Sequence, residues 1–212
     1  MSAEYLPAAG HDWALPFYDT MTRWLGVDDA RRALLEQAAI RPGSRVLDVG
    51  CGTGTFELLV KEQHPAVDLV GLDPDSKALA RARRKAGRAG VAVAFDRGTA
   101  AELPYADASF DRVFSSFMLH HIDEKERGRA LREMWRVLKP GGSLHLLDFG
   151  GPESAARGIR GWMLRASRHT RNNFGSVVPD LMREAGFAEV ELMSHRMLLA
   201  GPVAYYRAVR GA

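Results

Sequence analysis

Hydrophobic positions along the chain fall into short runs of strand length separated by stretches where they recur at helical spacing, with glycine and proline at the joins. Over residues 1–40 the pattern is helical, carried by Trp13, Leu15, Phe17, Met21, Trp24, Leu25, Leu34 and Leu35. Gly26 and the pair Asp28-Asp29 divide this stretch into two pieces, with Asp28 or Asp29 expected to cap the second. Pro42-Gly43 then turns the chain into a strand at 45–49. The pattern continues with a helix over about 54–63 ended by Pro65, a strand at 67–72, a helix over about 75–86 and a strand at 91–95. A strand at 110–116, a helix over about 124–138 ended by Pro140 and a strand at 143–149 follow. Such alternation predicts an α/β fold: a parallel sheet covered by helices on both faces, with ligands at the carboxyl ends of its strands. Near the C-terminus, Ala188-Glu189-Val190-Glu191-Leu192 and Val203-Ala204-Tyr205-Tyr206-Arg207 read as two strands joined through Gly201-Pro202, which suits an antiparallel pair.

The most telling join follows the first strand, where Val46-Leu47-Asp48-Val49 runs into Gly50-Cys51-Gly52-Thr53-Gly54. Three glycines spaced two apart allow a sharp turn and let a ligand approach bare backbone N–H groups. The dinucleotide fingerprint G-x-G-x-x-G, read from Gly50 and Gly52, requires glycine or alanine at position 55, which is Thr55. Asp48, two residues ahead of the loop, would repel a pyrophosphate and favour an ammonium or sulfonium.

Asp48-Val49-Gly50-Cys51-Gly52-Thr53-Gly54, then Gly71-Leu72-Asp73, then Arg136-Val137-Leu138-Lys139-Pro140-Gly141-Gly142 resemble the class I methyltransferases that use S-adenosylmethionine (SAM). The subgroup they resemble is the large one, of the methyltransferase type 11 kind, that includes ubiquinone and menaquinone biosynthesis methyltransferases. The similarity runs from about Arg41 to Phe149. It implies a three-layer, doubly wound Rossmann-like sheet of seven strands, mostly parallel, with an antiparallel C-terminal strand. It also implies one methyltransferase domain over 1–212, with a helical lid at 1–40, a SAM-binding core at 41–150, a lid insertion at 151–175, and a helix and strand pair at 176–212.

The resemblance assigns the cofactor's contacts residue by residue. Gly50, Gly52 and Gly54 let the loop and the following helix N-terminus meet the methionine tail, Asp48 orders the loop, and Cys51 is a small buried residue within it. Asp73, at the end of the second strand, would accept from the ribose diol, with Pro74 beside it. In Gly98-Thr99-Ala100, Thr99 stands where the family usually has an acid for the adenine amino group, so the adenine falls to Thr99 and Ala100, with Asp96 as a substitute. Ser115, Ser116 and Phe117 would form the floor beneath the sulfonium.

Composition narrows the chemistry further. One cysteine excludes a disulfide framework and a multi-thiolate zinc site within the chain, and argues against arsenic methylation; no metal is expected. A net charge of +3 permits anionic partners without arguing for them. Met1 is followed by Ser-Ala-Glu-Tyr-Leu-Pro, not by a basic and then apolar run, and no apolar stretch approaches the ~20 residues of a membrane span, so a cytoplasmic location is expected.

Methyl transfer from a sulfonium is an in-line displacement, and alignment alone can supply ~7–11 kcal/mol. Where an acceptor must lose a proton, His120 and His121 after the fourth strand are the candidate bases. Asp148, ending the fifth strand on the same edge, is a candidate for positioning a substrate, and Tyr18 for closing over the methyl group as an aromatic lid. In 151–175, Ile159, Trp162, Met163 and Ala166 form a stripe among Arg157, Arg160, Arg165, Arg168 and Arg171, predicting a basic amphipathic helix. The expected reaction is methylation of a small, partly apolar molecule with S-adenosylhomocysteine as product; a homodimer is compatible with the chain. Two alternatives are an RNA or protein acceptor drawn by Arg81, Arg83, Arg84, Lys85 and Arg88, and a SAM-binding regulator without turnover.

Overall fold

The computed structural model describes residues 25–156, 170 and 173–212. Each apolar run of strand length becomes part of one sheet. In chain order the elements are α1 (Val27–Glu36), β1 (Arg45–Val49), α2 (Thr55–Gln63), β2 (Asp68–Asp73), α3 (Ser76–Ala89), β3 (Ala94–Arg97), β4 (Phe110–Ser116), α4 (Glu124–Val137), β5 (Leu138–Phe149), α5 (Val177–Glu184), β6 (Ala188–Leu198) and β7 (Gly201–Val209). Short 3₁₀ turns at Leu119–His121 and Glu153–Ala156 follow β4 and β5. The seven strands lie in the order β3-β2-β1-β4-β5-β7-β6. Pairing is parallel from β3 through β5, and β7 inserts antiparallel between β5 and β6. The order reverses at β1, so the crevice between the ends of β1 and β4 is the topological switch point.

Alternation along the interior strands feeds two apolar layers. Leu47, Val49, Val70, Leu72, Val113 and Leu144 pack with Leu131, Met134 and Val137 of α4 and Val178 and Met182 of α5. Val46, Leu69, Phe114 and Leu147 pack against Leu34 and Leu35 of α1 and Phe56, Leu59 and Val60 of α2. A smaller cluster, Leu79, Ala82, Ala86 and Phe95, seats α3. Among the described residues, no helix is long and apolar enough to cross a membrane.

Four local expectations change. Neither Asp28 nor Asp29 caps α1: Gly26 takes the cap position with φ 79°, and both acids lie in the first turn, where they still favour the positive helix end. The strand expected at 91–95 is β3 at 94–97, because Gly90 ends α3 in a left-handed turn and Val91 and Val93 spend their apolar surface under that helix before pairing begins. The strand expected at 143–149 begins at Leu138, since Gly141 and Gly142 exchange backbone hydrogen bonds with Arg210 and carry the ribbon through the Pro-Gly-Gly bend. The strand expected at 188–192 extends to Leu198. Tyr18 and the other residues before 25, and the expected amphipathic stripe from Arg157 to Arg171, lie outside the described residues.

Candidate methyl-transfer site

Two of the loop's three glycines make room for a neighbour, Gly50 for Met118 and Gly54 for Ala82, and Gly52 leaves an open face. Gly50, Gly52 and Gly54 all have positive φ, at 85°, 53° and 77°. A Cβ on Gly54 would stand 2.7 Å from the Ala82 Cβ, so this glycine lets the start of α2 press onto α3. A Cβ on Gly52 would meet nothing within 4 Å. That open side is the backbone surface a ligand can reach. The loop is tied to the next strand by Gly50 and Cys51 N–H groups, both donating to the Leu72 carbonyl, at 2.8 and 3.0 Å.

Asp73 braces the loop from β2. Its Oδ2 accepts from Gly52 N–H at 2.9 Å and its Oδ1 from Asp75 N–H at 2.9 Å, and the residue is buried. Asp73 and Pro74 line one wall of a cleft whose other walls include Gly52, Arg31, Ser116, Met118 and His121. Gly50 and Cys51 line it as well. Arg31 comes from α1 and donates through Nε to Ser116 Oγ at 3.2 Å. Ser115 turns the other way, its hydroxyl donating to the Val49 carbonyl at 3.1 Å, so Ser116 is the serine at the cleft. Thr99 and Ala100 sit on the turn after β3, outside the lining of the cleft; the turn is held beside Asp73 by Gly98 N–H donating to the Asp73 carbonyl. Asp96 accepts from Tyr105 Oη at 3.0 Å.

Opposite the glycines, β4 is followed by Phe117, whose φ of 56° is unusual for a bulky side chain. The chain then enters the 3₁₀ turn holding both histidines. His120 Nδ1 lies 2.6 Å from Asp148 Oδ1, and its backbone N–H donates to Asp148 Oδ2 at 3.0 Å. Burial opposes the charge on Asp148, but the histidine and the N–H donors outweigh it and hold the carboxyl below its ordinary range. A carboxylate only accepts, so Nδ1 carries the proton and the imidazole Nε2 is the basic nitrogen. The His121 ring packs against that of His120, with centroids 4.0 Å apart and planes tilted by 39°, and faces the cleft. Behind them Arg127 bonds the Ile122 carbonyl and Asn173 Oδ1, and Asn173 Nδ2 donates to the Phe149 carbonyl.

Asp48 does not reach the cleft. It is buried with Glu57 of α2, and burial is the largest cause of a raised pKa in both carboxyls. Burial also pushes the Cys51 thiol up, helped by the charges of Glu57, Asp48 and Asp73, which keeps the sulfur protonated and inert as a nucleophile. Sequence reasoning missed Arg31, Met118 and Glu57. The one available signal was a charged residue, Glu57, among the apolar positions Phe56, Leu59 and Val60.

Residues 46–142 match a family profile described as a methyltransferase domain. A demethylmenaquinone methyltransferase of Deinococcus radiodurans is 44% identical over 146 residues, which cover 68% of this chain and 60% of that protein. Residues 46–142 are a methyltransferase domain. A ubiquinone/menaquinone biosynthesis C-methyltransferase of a Geobacter species is 36% identical over 143 residues, 65% of this chain and 60% of that protein. The chain spans about 60% of the length of these two curated relatives. Its fold superposes on phosphoethanolamine N-methyltransferase 2 of Haemonchus contortus, crystallised with SAM, at a TM-score of 0.78 and 16% identity, covering 97% of this chain and 58% of that one.

The residues of the cleft fit SAM. An open glycine backbone, a helix N-terminus without a side-chain cap and a buried carboxylate at the next strand's end match a carboxylate tail and a diol. A larger hollow of about 460 Å³ shares Arg31 and Thr55 with the cleft but lacks the glycines and Asp73.

Proposed function

We propose that the chain transfers the methyl group of SAM to a small, partly apolar acceptor of the quinone class, in the cytoplasm. The observation that carries this reading is the juxtaposition, across one cleft, of the open Gly52 backbone and Asp73 with His121. The relatives named for demethylmenaquinone and ubiquinone or menaquinone support the acceptor class. Bound SAM supplies the electrophilic methyl group. Gly52 and Asp73 fix the cofactor, while Ser116 and Phe117 form the floor. His121 takes the acceptor's proton, and His120, oriented by Asp148, positions His121 through the contact of their tilted rings.

An RNA or protein acceptor draws less support, because part of the basic cluster serves the fold. Arg83 donates to the Phe95 carbonyl, and Lys85 donates to Thr53 and Thr55 hydroxyls at 3.0 and 2.9 Å. The test is incubation with methyl-deuterated SAM and a short-tailed demethylated quinol. Labelled quinol and S-adenosylhomocysteine in equal amounts are expected. Label entering RNA or protein, with none in any small acceptor, would overturn the proposal.

A further inference from the structure

The glycine loop rests on two acids for which methyl transfer has no direct use. Strand alternation sends Asp48, in an interior strand, to the face covered by α2, where its neighbour in register on β2 is Gly71. Gly71 leaves room for a carboxyl: a Cβ there would stand 2.8 Å from Glu57 Oε1 and 3.0 Å from Cys51 Cβ. Asp48 is 1% exposed and Glu57 0%. Among the described residues, Asp48 has no hydrogen-bond partner apart from Glu57, and Glu57 has only Asp48 and its own backbone N–H. Two ionised carboxylates do not share a dry site, because burial penalises each charge and each repels the other. One of them keeps its proton, and the proton lies between them.

The surrounding charges do not relieve this. Arg31, from α1, lowers both acids but donates its hydrogen bond to Ser116. Asp73, from β2, adds repulsion at Asp48, and the buried Cys51 stays a thiol. Lys85, from α3, is engaged with the loop threonines.

We propose that Glu57 carries the proton of this buried pair and, by donating it to Asp48, keeps a single negative charge beneath the glycine loop that favours the sulfonium cofactor over its uncharged thioether product. The inference rests on SAM occupying the cleft. Glu57 touches Asp48 and not the ligand, so it is a positioning residue. Burial raises Asp48 to about 6 and Glu57 well above the usual carboxyl range. Near neutral pH the pair therefore holds one proton and one charge; below about 6 it holds two protons and none.

Two measurements on the full chain test this. In the infrared spectrum of the cofactor-free protein at about pH 7, a protonated carboxylic acid band is expected in the wild type and lost in Glu57→Gln. Absence of that band from the wild type overturns the proposal without involving SAM. Calorimetric affinities for SAM and for S-adenosylhomocysteine, taken between about pH 5 and 8, read the charge. The preference for SAM should shrink several-fold as the pH falls through about 6 in the wild type. The fall should move to lower pH in Glu57→Gln, whose amide donates permanently to an ionised Asp48, and Asp48→Asn should lose the preference at every pH. A preference independent of pH and unchanged in both variants contradicts the proposal. If the wild type binds neither ligand, the cofactor reading fails and the discrimination fails with it, while the infrared band still reports the proton.

Discussion

The cofactor side and the acceptor side of the cleft hold their groups by different means. On the cofactor side the grip is mostly backbone: Gly52 N–H on Asp73, Gly50 and Cys51 N–H on Leu72, and glycines placed where a Cβ would block a helix or a ligand. On the acceptor side it is side chain on side chain: His120 on Asp148, the His121 ring tilted against His120, and Arg127 on Asn173 of the connection beyond β5. A cofactor that never changes can be met by main chain that tolerates one conformation. An acceptor that differs among relatives is met by side chains, which substitution can replace without disturbing the sheet.

The sharpest way to break this contrast is at the histidines. His121→Ala should lower the turnover number about a hundredfold or more, the size of a lost general base, and leave SAM affinity within about twofold, measured by steady-state kinetics beside calorimetry. Equal losses in both would mean that His121 belongs to the cofactor side. Next come two glycines separated by one residue. Gly52→Ala should weaken SAM binding about tenfold while costing only ~1 kcal/mol of stability, because its Cβ enters space that the ligand needs. Gly54→Ala should do the reverse, losing ~1–3 kcal/mol through contact with Ala82, or roughly 2–10 °C in melting temperature. Similar behaviour in the two variants would erase the distinction between a ligand-facing and a helix-facing glycine.

The smallest effect concerns two buried titrating sites that lean in opposite directions. His145 is buried beside Ser143, and burial, reinforced by Arg112 and Arg207, lowers its pKa from 6.5 to about 3. Its contribution to stability is present above about 6.5 and is lost as the pH falls toward 3. Asp48 and Glu57 are raised, so their contribution is present below the ordinary carboxyl range and is lost as the pH rises through about 6 and beyond. In the wild type the two slopes offset one another over the shared window. Thermal melts of Glu57→Gln should show stability rising more steeply with pH, and those of His145→Phe should show it falling, by a few degrees in each case.

The order of elements and the loop chemistry were legible because both rest on local rules. An apolar run between turn signals has few alternatives, and an acid that follows the glycine loop by one helix and one strand, as Asp73 does, ends beside that loop in a parallel sheet. Where local rules compete, the reading slipped. Val91 and Val93 look like strand but pack beneath α3, and Pro140-Gly141-Gly142 looks like a break but is bridged by Arg210 from the far end of the chain. The cleft's side chains were harder to read. Arg31 lies on an amphipathic helix beside Arg32, and nothing local separates an arginine that reaches Ser116 from one that meets water. The histidine doublet was visible, but which ring faces the cleft depends on Asp148, which lies 28 residues from His120.

The central claim is that the open glycine backbone and the Asp73 carboxylate together hold SAM. Calorimetric titration of SAM into the wild type and Asp73→Ala tests it most directly. Removing an acceptor of two ribose hydroxyls and the brace of Gly52 N–H should weaken binding by about a hundredfold, at roughly 1.5–3 kcal/mol per charge-assisted hydrogen bond. Equal affinity in the two proteins, with Asp73→Ala still folded, would contradict it.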